Sequence, residues 1–267
     1  MRIDSEVSLC DRARFVYPWM ESAAPHMRRD FSIEDIGLIL ARNRFSGAVL
    51  TGLLADEPAE TDWLLELAAL SGPAGLARGV MTAVASSPAL WDRWQQRHQP
   101  PWGPALLGVA QAPLAVAREL ASRGLRCTMD PATAVAALEI CPDLRVLVRA
   151  TAGQRFPADG ALDEWRETMA PLESARGVSV LISSLINEAG PAGWQAGTYR
   201  PWVQHLLARF GAERILYGSG WPLCMHSGTW KEELACFTQA LGAQTIETRE
   251  LILGKNAAQW FGLSYTE

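Results

Sequence analysis

Two residues of opposite charge end strand-like apolar segments of the sequence. Glu6 lies in "RIDSEVSL" and Arg149 closes "DLRVLVR". In parallel α/β folds such strand ends meet where ligands bind, so Arg149 is a candidate to hold a substrate carboxylate, with Glu6 as acid or base. The alternative is a buried salt bridge that only joins two strands. The sequence leaves both roles open.

His226 is the third candidate catalytic residue. The chain has four histidines, and His226 in "WPLCMHSGTW" is the one predicted to lie in a loop after a strand end. It would serve as a general base, or it is an ordinary surface histidine. Cys224 precedes it by two positions, but a buried inert thiol is a commoner role for cysteine than a Cys–His nucleophile pair.

Other polar and aromatic residues near predicted strand ends are candidates for substrate binding. Asp130 stands before Pro131 and also has the sequence of a helix N-cap. Arg200 would anchor either an anionic substrate or its own loop, and the tryptophans would form pocket walls or core. No Gly-x-Ser-x-Gly motif supports a serine hydrolase. The substrate-binding candidates are Trp19, Gln111, Asp130, Ser183, Arg200 and Trp221.

The elements that position these residues follow a repeated strand–helix plan. Amphipathic segments of helix length, such as "SIEDIGLILARN" with Ser32 and Asp35 as a capping box, separate the apolar segments. Eight such repeats predict a (β/α)8 TIM barrel in one domain, residues 1–267. A doubly wound open sheet is the alternative, but the Gly-rich phosphate loop typical of it is missing. The predicted strands are Arg2–Leu9, Gly47–Leu54, Leu76–Val84, Ala105–Gln111, Leu125–Met129, Leu144–Arg149, Val178–Ile182 and Arg214–Tyr217.

Composition narrows the class of protein. A net charge of -5 argues against nucleic acid as a partner. No apolar run is long enough for a membrane span, and the start of the chain lacks a signal-peptide core. Five scattered cysteines without a CxxC pair indicate a reduced, cytoplasmic protein. We expect a small-molecule ligand and no cofactor; a homodimer is possible for such barrels.

Several segments together resemble the amidohydrolase superfamily, in its branch of sugar-acid lactonases and 2-pyrone-4,6-dicarboxylate lactonases. The resemblance runs through nearly the whole chain and implies that superfamily's barrel and a small oxygen-rich substrate. It is carried by "RIDSEVSLCDRARFVYPWM", "MRRDFSIEDIGLIL", "ETDWLLELAA", "PDLRVLV", "RPWVQHLLARFGAERILYGSGWPLC" and "GKNAAQWFGL".

The departures from this resemblance fall on the catalytic positions. Where the family carries a His-x-His pair on its first strand, this chain has Glu6 and Ser8. Gln111 and Arg149 match histidines of the fourth and sixth strands, and Gly220 matches the last-strand aspartate that takes the proton of the attacking water. The resemblance therefore implies that metal ligands and catalytic acid are replaced together, with extra room for a ligand at Gly220.

Three functions are compatible with this pattern. The first is a metal-independent enzyme that acts on a carboxylate- or lactone-bearing substrate as a hydrolase, lyase or isomerase. The second is a pseudoenzyme that serves as a binding or partner subunit. The third, a metallohydrolase with a shifted site, is opposed by the small number of histidines.

Overall fold

Eight parallel strands form a single barrel-like sheet in the order β1 to β8. The computed structural model describes residues 1–52, 55, 57–71, 75–83, 87–97, 106–150, 161–188 and 193–263. The predicted (β/α)8 barrel is confirmed, and each strand overlaps its predicted segment. The strands are β1 Ile3–Val7, β2 Gly47–Gly52, β3 Ala77–Thr82, β4 Leu106–Val109, β5 Arg126–Met129, β6 Val146–Arg149, β7 Val178–Ser183 and β8 Ile215–Gly218.

Helices surround the sheet, and several begin at the caps that the sequence predicts. Ser32 and Asp35 form a reciprocal capping box at the start of the second helix. None of the helices among the described residues combines the length and apolarity needed to cross a bilayer. The α-helices are α1 Trp19–Ser22, α2 Ile33–Arg42, α3 Pro58–Ser71, α4 Pro88–Arg97, α5 Ala117–Ser122, α6 Pro131–Ile140, α7 Ala161–Glu173, α8 Ala196–Phe210, α9 Trp230–Leu241, α10 Ile246–Glu250 and α11 Asn256–Phe261.

The barrel interior is a packed core. Because strand side chains alternate between faces, β1–β4 and β6–β8 each contribute an inward apolar residue to it. Helix α11 packs against this core, and Arg126 and Arg145 both donate hydrogen bonds to the carbonyl of Trp260 in that helix. The interior residues include Ile3, Val49, Met81, Leu107, Leu147, Leu181 and Leu216.

The sheet closes between β1 and the residues that follow β8. The amide of Gly220 donates to the carbonyl of Glu6 at 3.0 Å, and the amide of Ser8 donates to the carbonyl of Trp221 at 2.8 Å. The seam therefore lies beside Glu6, one of the candidate catalytic residues.

Candidate active site

A salt bridge between Glu6 and Arg149 joins β1 to β6. Nη2 of Arg149 lies 3.2 Å from Oε1 of Glu6, and the side chains are 14% and 7% exposed. Strands that are not neighbours in a barrel can meet only through its interior. Oε2 of Glu6 and Nε of Arg149 are buried without a hydrogen-bond partner among the described residues. One acceptor and one donor of the pair are thus left unsatisfied, which is uncommon for buried polar atoms.

Glu6 reaches the interior because β1 is irregular. Strict alternation would place Asp4 and Glu6 on the same face. Asp4 faces outward, where it accepts a hydrogen bond from the indole of Trp230 on α9 at 2.8 Å. The pairing of β1 with β2 shifts register between Asp4 and Val7, and such a bulge re-aims the side chains near it. The bulge explains how two carboxylates so close in sequence serve opposite faces.

Gly220 leaves no room for a ligand, so that expectation is wrong. A Cβ atom at this position would coincide with the hydroxyl of Ser184. Gly220 also has φ of 62°, and Ser184 has φ of 54°. A left-handed backbone favours glycine, and the neighbouring serine fills the remaining space.

Replacing Gly220 by alanine should destabilise the protein by about 2–4 kcal/mol, since it adds a steric clash to left-handed strain. The double variant Gly220→Ala/Ser184→Gly should recover part of this loss because the clash is removed. Urea denaturation of the two variants and of Ser184→Gly alone measures the difference. Equal losses in the single and double variants would contradict the packing of Ser184 against Gly220.

The residues at the positions that correspond to the metal ligands of the resembling family do not fit a divalent cation. A metal centre of this class needs imidazoles and carboxylates that converge on one point. Here Glu6 is neutralised by Arg149, and the hydroxyl of Ser8 donates to the carbonyl of Thr51 at 2.9 Å. Across the part of the chain that the structure describes, no group of three or more His, Cys, Asp or Glu side chains is placed to hold a metal ion.

His226 lies in the loop after β8, in a 3-10 turn that spans Leu223–His226. Its ring contacts Trp19 edge-on, with centroids 6.1 Å apart. Burial, aided by the charge of nearby His26, lowers the pKa of His226. A neutral imidazole can accept a proton near neutral pH, so His226 keeps the protonation state of a general base.

Cys224 is fully buried in the same turn. Burial, and secondarily the negative charges of Glu233 and Asp4, raises the pKa of its thiol well above the usual value. A neutral buried thiol is a poor nucleophile, which agrees with the inert role that the sequence favours.

Three further candidates lie at or next to the ends of their strands. Asp130 is the N-cap of α6 and accepts a hydrogen bond from the amide of Thr133 at 2.9 Å. Gln111 is exposed after β4 with φ of 49°, and its backbone N–H donates to Thr128 Oγ1. Ser183 is buried at the end of β7. The capping role of Asp130 is confirmed, and the substrate-binding roles stay predictions.

Arg200 and Trp221 make contacts that suit structural roles. Arg200 is exposed on α8, and its guanidinium donates to the carbonyl of Gln239 on α9 at 3.2 Å. Trp221 is 1% exposed and packs edge-on against Phe31 at 5.4 Å. These contacts match the anchoring and core alternatives, while substrate binding by either residue stays a prediction.

The sequence interpretation missed two buried carboxylates, Asp4 and Glu233. Each is fully buried, and Glu233 accepts hydrogen bonds from the amides of Leu185 and Ile186 at 2.8 and 2.9 Å. The available signals were Asp4 within the strand-like segment "RIDSEV" and Glu233 at helical spacing from Trp230 and Phe237 in "WKEELACF". Such acids are rarely buried unless a partner holds them.

Comparison with known proteins places the chain in a family. The amidohydrolase family model matches residues 94–263, more than half of the chain. An L-fucono-1,5-lactonase from Burkholderia ambifaria is 30% identical over 127 residues, which cover 45% of this chain and 42% of the relative. The chain spans 37% to 42% of the length of the curated relatives it matches.

Solved structures show the same fold. A zinc-bound amidohydrolase from Burkholderia multivorans superposes with a TM-score of 0.80 at 20% identity, covering 99% of this chain and 100% of that one. A putative 2-pyrone-4,6-dicarboxylic acid hydrolase from Pseudomonas putida gives 0.70 at 19% identity, covering 99% and 98%. With the family match over most of its length and this shared barrel, the chain belongs to the amidohydrolase family.

Proposed function

We propose that this barrel acts without a metal ion on a small substrate that carries a carboxylate or a lactone. The observation that carries the proposal is the half-satisfied pair at the ends of β1 and β6. Arg149 binds the substrate carboxylate or polarises the lactone carbonyl, because a guanidinium matches both in shape and charge. Relatives named as an L-fucono-1,5-lactonase and a 2-pyrone-4,6-dicarboxylic acid hydrolase support this substrate class.

Glu6 supplies the proton-transfer group in this proposal. One of its oxygens is held by Arg149 and the other has no partner among the described residues, so the free oxygen can take a proton from water. In lactone hydrolysis, water adds to the carbonyl, the ring C–O bond breaks, and the product is a hydroxy acid that releases one proton. His226 is the second proposed base, at the loop that follows β8.

The test offers the protein a panel of aldonolactones and pyrone carboxylates. Proton release is measured with a pH-stat, with and without EDTA. Wild-type protein should open at least one lactone at the same rate in both conditions. Glu6→Gln and Arg149→Met should each reduce kcat/KM at least about 100-fold, since they remove charged groups that contact the reacting atoms. Arg209→Met, which breaks the outer ion pair with Glu173 between α8 and α7, is the matched control and should retain activity.

Two results would overturn this function. Loss of turnover in EDTA, with recovery on adding zinc or manganese, would show metal-dependent chemistry. Ligand binding that depends on Arg149 without turnover of any panel member would favour the alternative, a pseudoenzyme that binds a small molecule or serves as a partner subunit. The filling of the Gly220 position by Ser184 is the observation that favours this alternative.

A further inference from the structure

Asp4 accepts hydrogen bonds from three residues at a fully buried position on β1. Its Oδ1 accepts from the amides of Glu6, at 3.3 Å, and Ser219, at 2.8 Å. Its Oδ2 accepts from the indole Nε1 of Trp230 on α9, at 2.8 Å. One carboxylate thus connects β1, the turn after β8 and a helix of the outer layer.

These bonds lie at the seam of the barrel. Strand β8 ends at Gly218, and the chain then turns through Ser219 and Gly220 to reach Trp221. The amide of Ser219 is bound by the side chain of Asp4. The side chain of Asp4 therefore adds a hydrogen bond between β1 and the chain just after β8, where regular strand pairing ends.

Helix α9 also binds the residues that follow β7, close to the contact between Asp4 and Trp230. Trp230 and Glu233 lie one helical turn apart, which puts them on one face. Glu233 binds the amides of Leu185 and Ile186. These residues directly follow Ser184, whose hydroxyl fills the space beside Gly220. Strand β1, the residues after β7 and, through Asp4, the turn after β8 are thus held against a single helix.

We propose that Asp4 is a positioning residue, which fixes the backbone of Glu6 and of the turn after β8 against α9 and so keeps the Glu6 carboxylate directed at Arg149. The bulge in β1 interrupts the regular strand pairing near Glu6, so the backbone there needs additional hydrogen bonds to hold it in place. Because the backbone amide of Glu6 donates to Oδ1 of Asp4, a shift of the Asp4 carboxylate should move the Glu6 backbone with it. The consequence for turnover rests on the proposed function, but the geometric claim does not.

The outer indole of Trp94 provides a matched control. Its Nε1 donates to Oδ1 of Asp62 at 2.8 Å, between α4 and α3. Asp62→Asn therefore changes the same kind of indole–carboxylate bond at a site away from the seam. Trp230→Phe is a milder test than Asp4→Asn, because it removes one donor and leaves the bonds of Asp4 with Glu6 and Ser219.

The experiment is NMR of the full chain without substrate, so an inactive protein does not affect its outcome. In Asp4→Asn, the amides of Glu6 and Ser219 and the Nε–H of Arg149 should exchange with solvent at least about tenfold faster. Trp230→Phe should change the same signals in the same direction by a smaller factor, and Asp62→Asn should leave them unchanged.

Titration of the Arg149 Nε–H signal, followed beside that of the Trp230 indole, adds a readout that a purely structural role would not move. Burial raises the pKa of Asp4 to about 6, against the lowering effect of its hydrogen bonds. The chemical shifts of the Trp230 indole N–H and of the Arg149 Nε–H should both change with pH, with a common midpoint at the pKa of Asp4. Neither change should occur in Asp4→Asn. The other titratable groups that face Asp4 are Glu233 on α9, Tyr217 on β8 and Cys224 in the following turn, and burial raises the pKa of each.

Unchanged exchange at Arg149 in a folded Asp4→Asn protein would overturn the proposal. If Asp4→Asn does not fold, Trp230→Phe decides: faster exchange at Glu6 and Arg149 supports positioning, and wild-type rates at both overturn it.

Discussion

Replacing Arg149 by methionine should destabilise the protein by about 3–5 kcal/mol, because the carboxylate of Glu6 is then left buried without its cation. The pair is 14% and 7% exposed, so water compensates the remaining charge only weakly. Glu6→Gln should cost less, since Arg149 keeps a neutral acceptor. Urea denaturation of the variants at pH 7 measures each loss.

The double variant Glu6→Gln/Arg149→Met completes a thermodynamic cycle. It should be more stable than Arg149→Met alone, because no unpaired charge remains, and the coupling energy should be about 2 kcal/mol or more. Arg209→Met removes the exposed partner of its ion pair with Glu173 and should cost much less stability than Arg149→Met, because solvent screens an exposed charge. A coupling energy near zero for Glu6 and Arg149 would mean that the two charges do not meet in solution.

The cycle also separates the two roles of the pair. A large coupling energy together with unchanged lactone turnover in the double variant would leave only the structural role. Loss of turnover in variants that remain folded at the assay temperature supports the catalytic role.

Stability should decrease as the pH rises from 5 to 8, contrary to the behaviour of ordinary ion-paired acids. Burial raises the pKa of Glu233 from 4.5 to about 8, outweighing the lowering effect of its bonds to Ile186 and Leu185. The folded protein then binds a proton that the unfolded chain releases. This contribution is fully present below pH 4.5 and is lost as the pH rises through 8.

The expected size makes this dependence measurable. Between pH 5 and 8 the shift of Glu233 alone corresponds to roughly 4 kcal/mol, and Asp4 adds a smaller loss up to about pH 6. Glu233→Gln should flatten the profile, whereas Glu232→Gln, which alters the exposed neighbouring acid, should leave its slope unchanged. Stability that rises over this range in the wild type would show that Glu233 is ionised in the folded protein.

The barrel was predictable because its eight apolar segments and the helices between them follow local rules of period and capping. The same rules placed Glu6 and Arg149 at strand ends that face one opening, but the contact between their side chains also depends on the bulge in β1. Local pattern was enough where a residue's role depends on its own strand or helix. The cap formed by Asp130 is of this kind.

The features that the sequence did not predict depend on contacts between segments that are distant in the chain. Nothing near Gly220 in the sequence shows that Ser184 fills its space, and nothing near Asp4 shows that Trp230 binds it. The bulge that separates Asp4 from Glu6 is equally invisible, because strict alternation would place both acids on one face. These features appear only when β1, β7, β8 and α9 are brought together.

The packing of Ser184 against Gly220 bears on how this chain could change in evolution or in the laboratory. Any side chain introduced at position 220 meets the hydroxyl of Ser184, so an engineered acid there requires Ser184 to change its rotamer or to be replaced as well. We therefore expect the two positions to tolerate change jointly rather than singly. An attempt to place a carboxylate at the end of β8 should randomise positions 184 and 220 together.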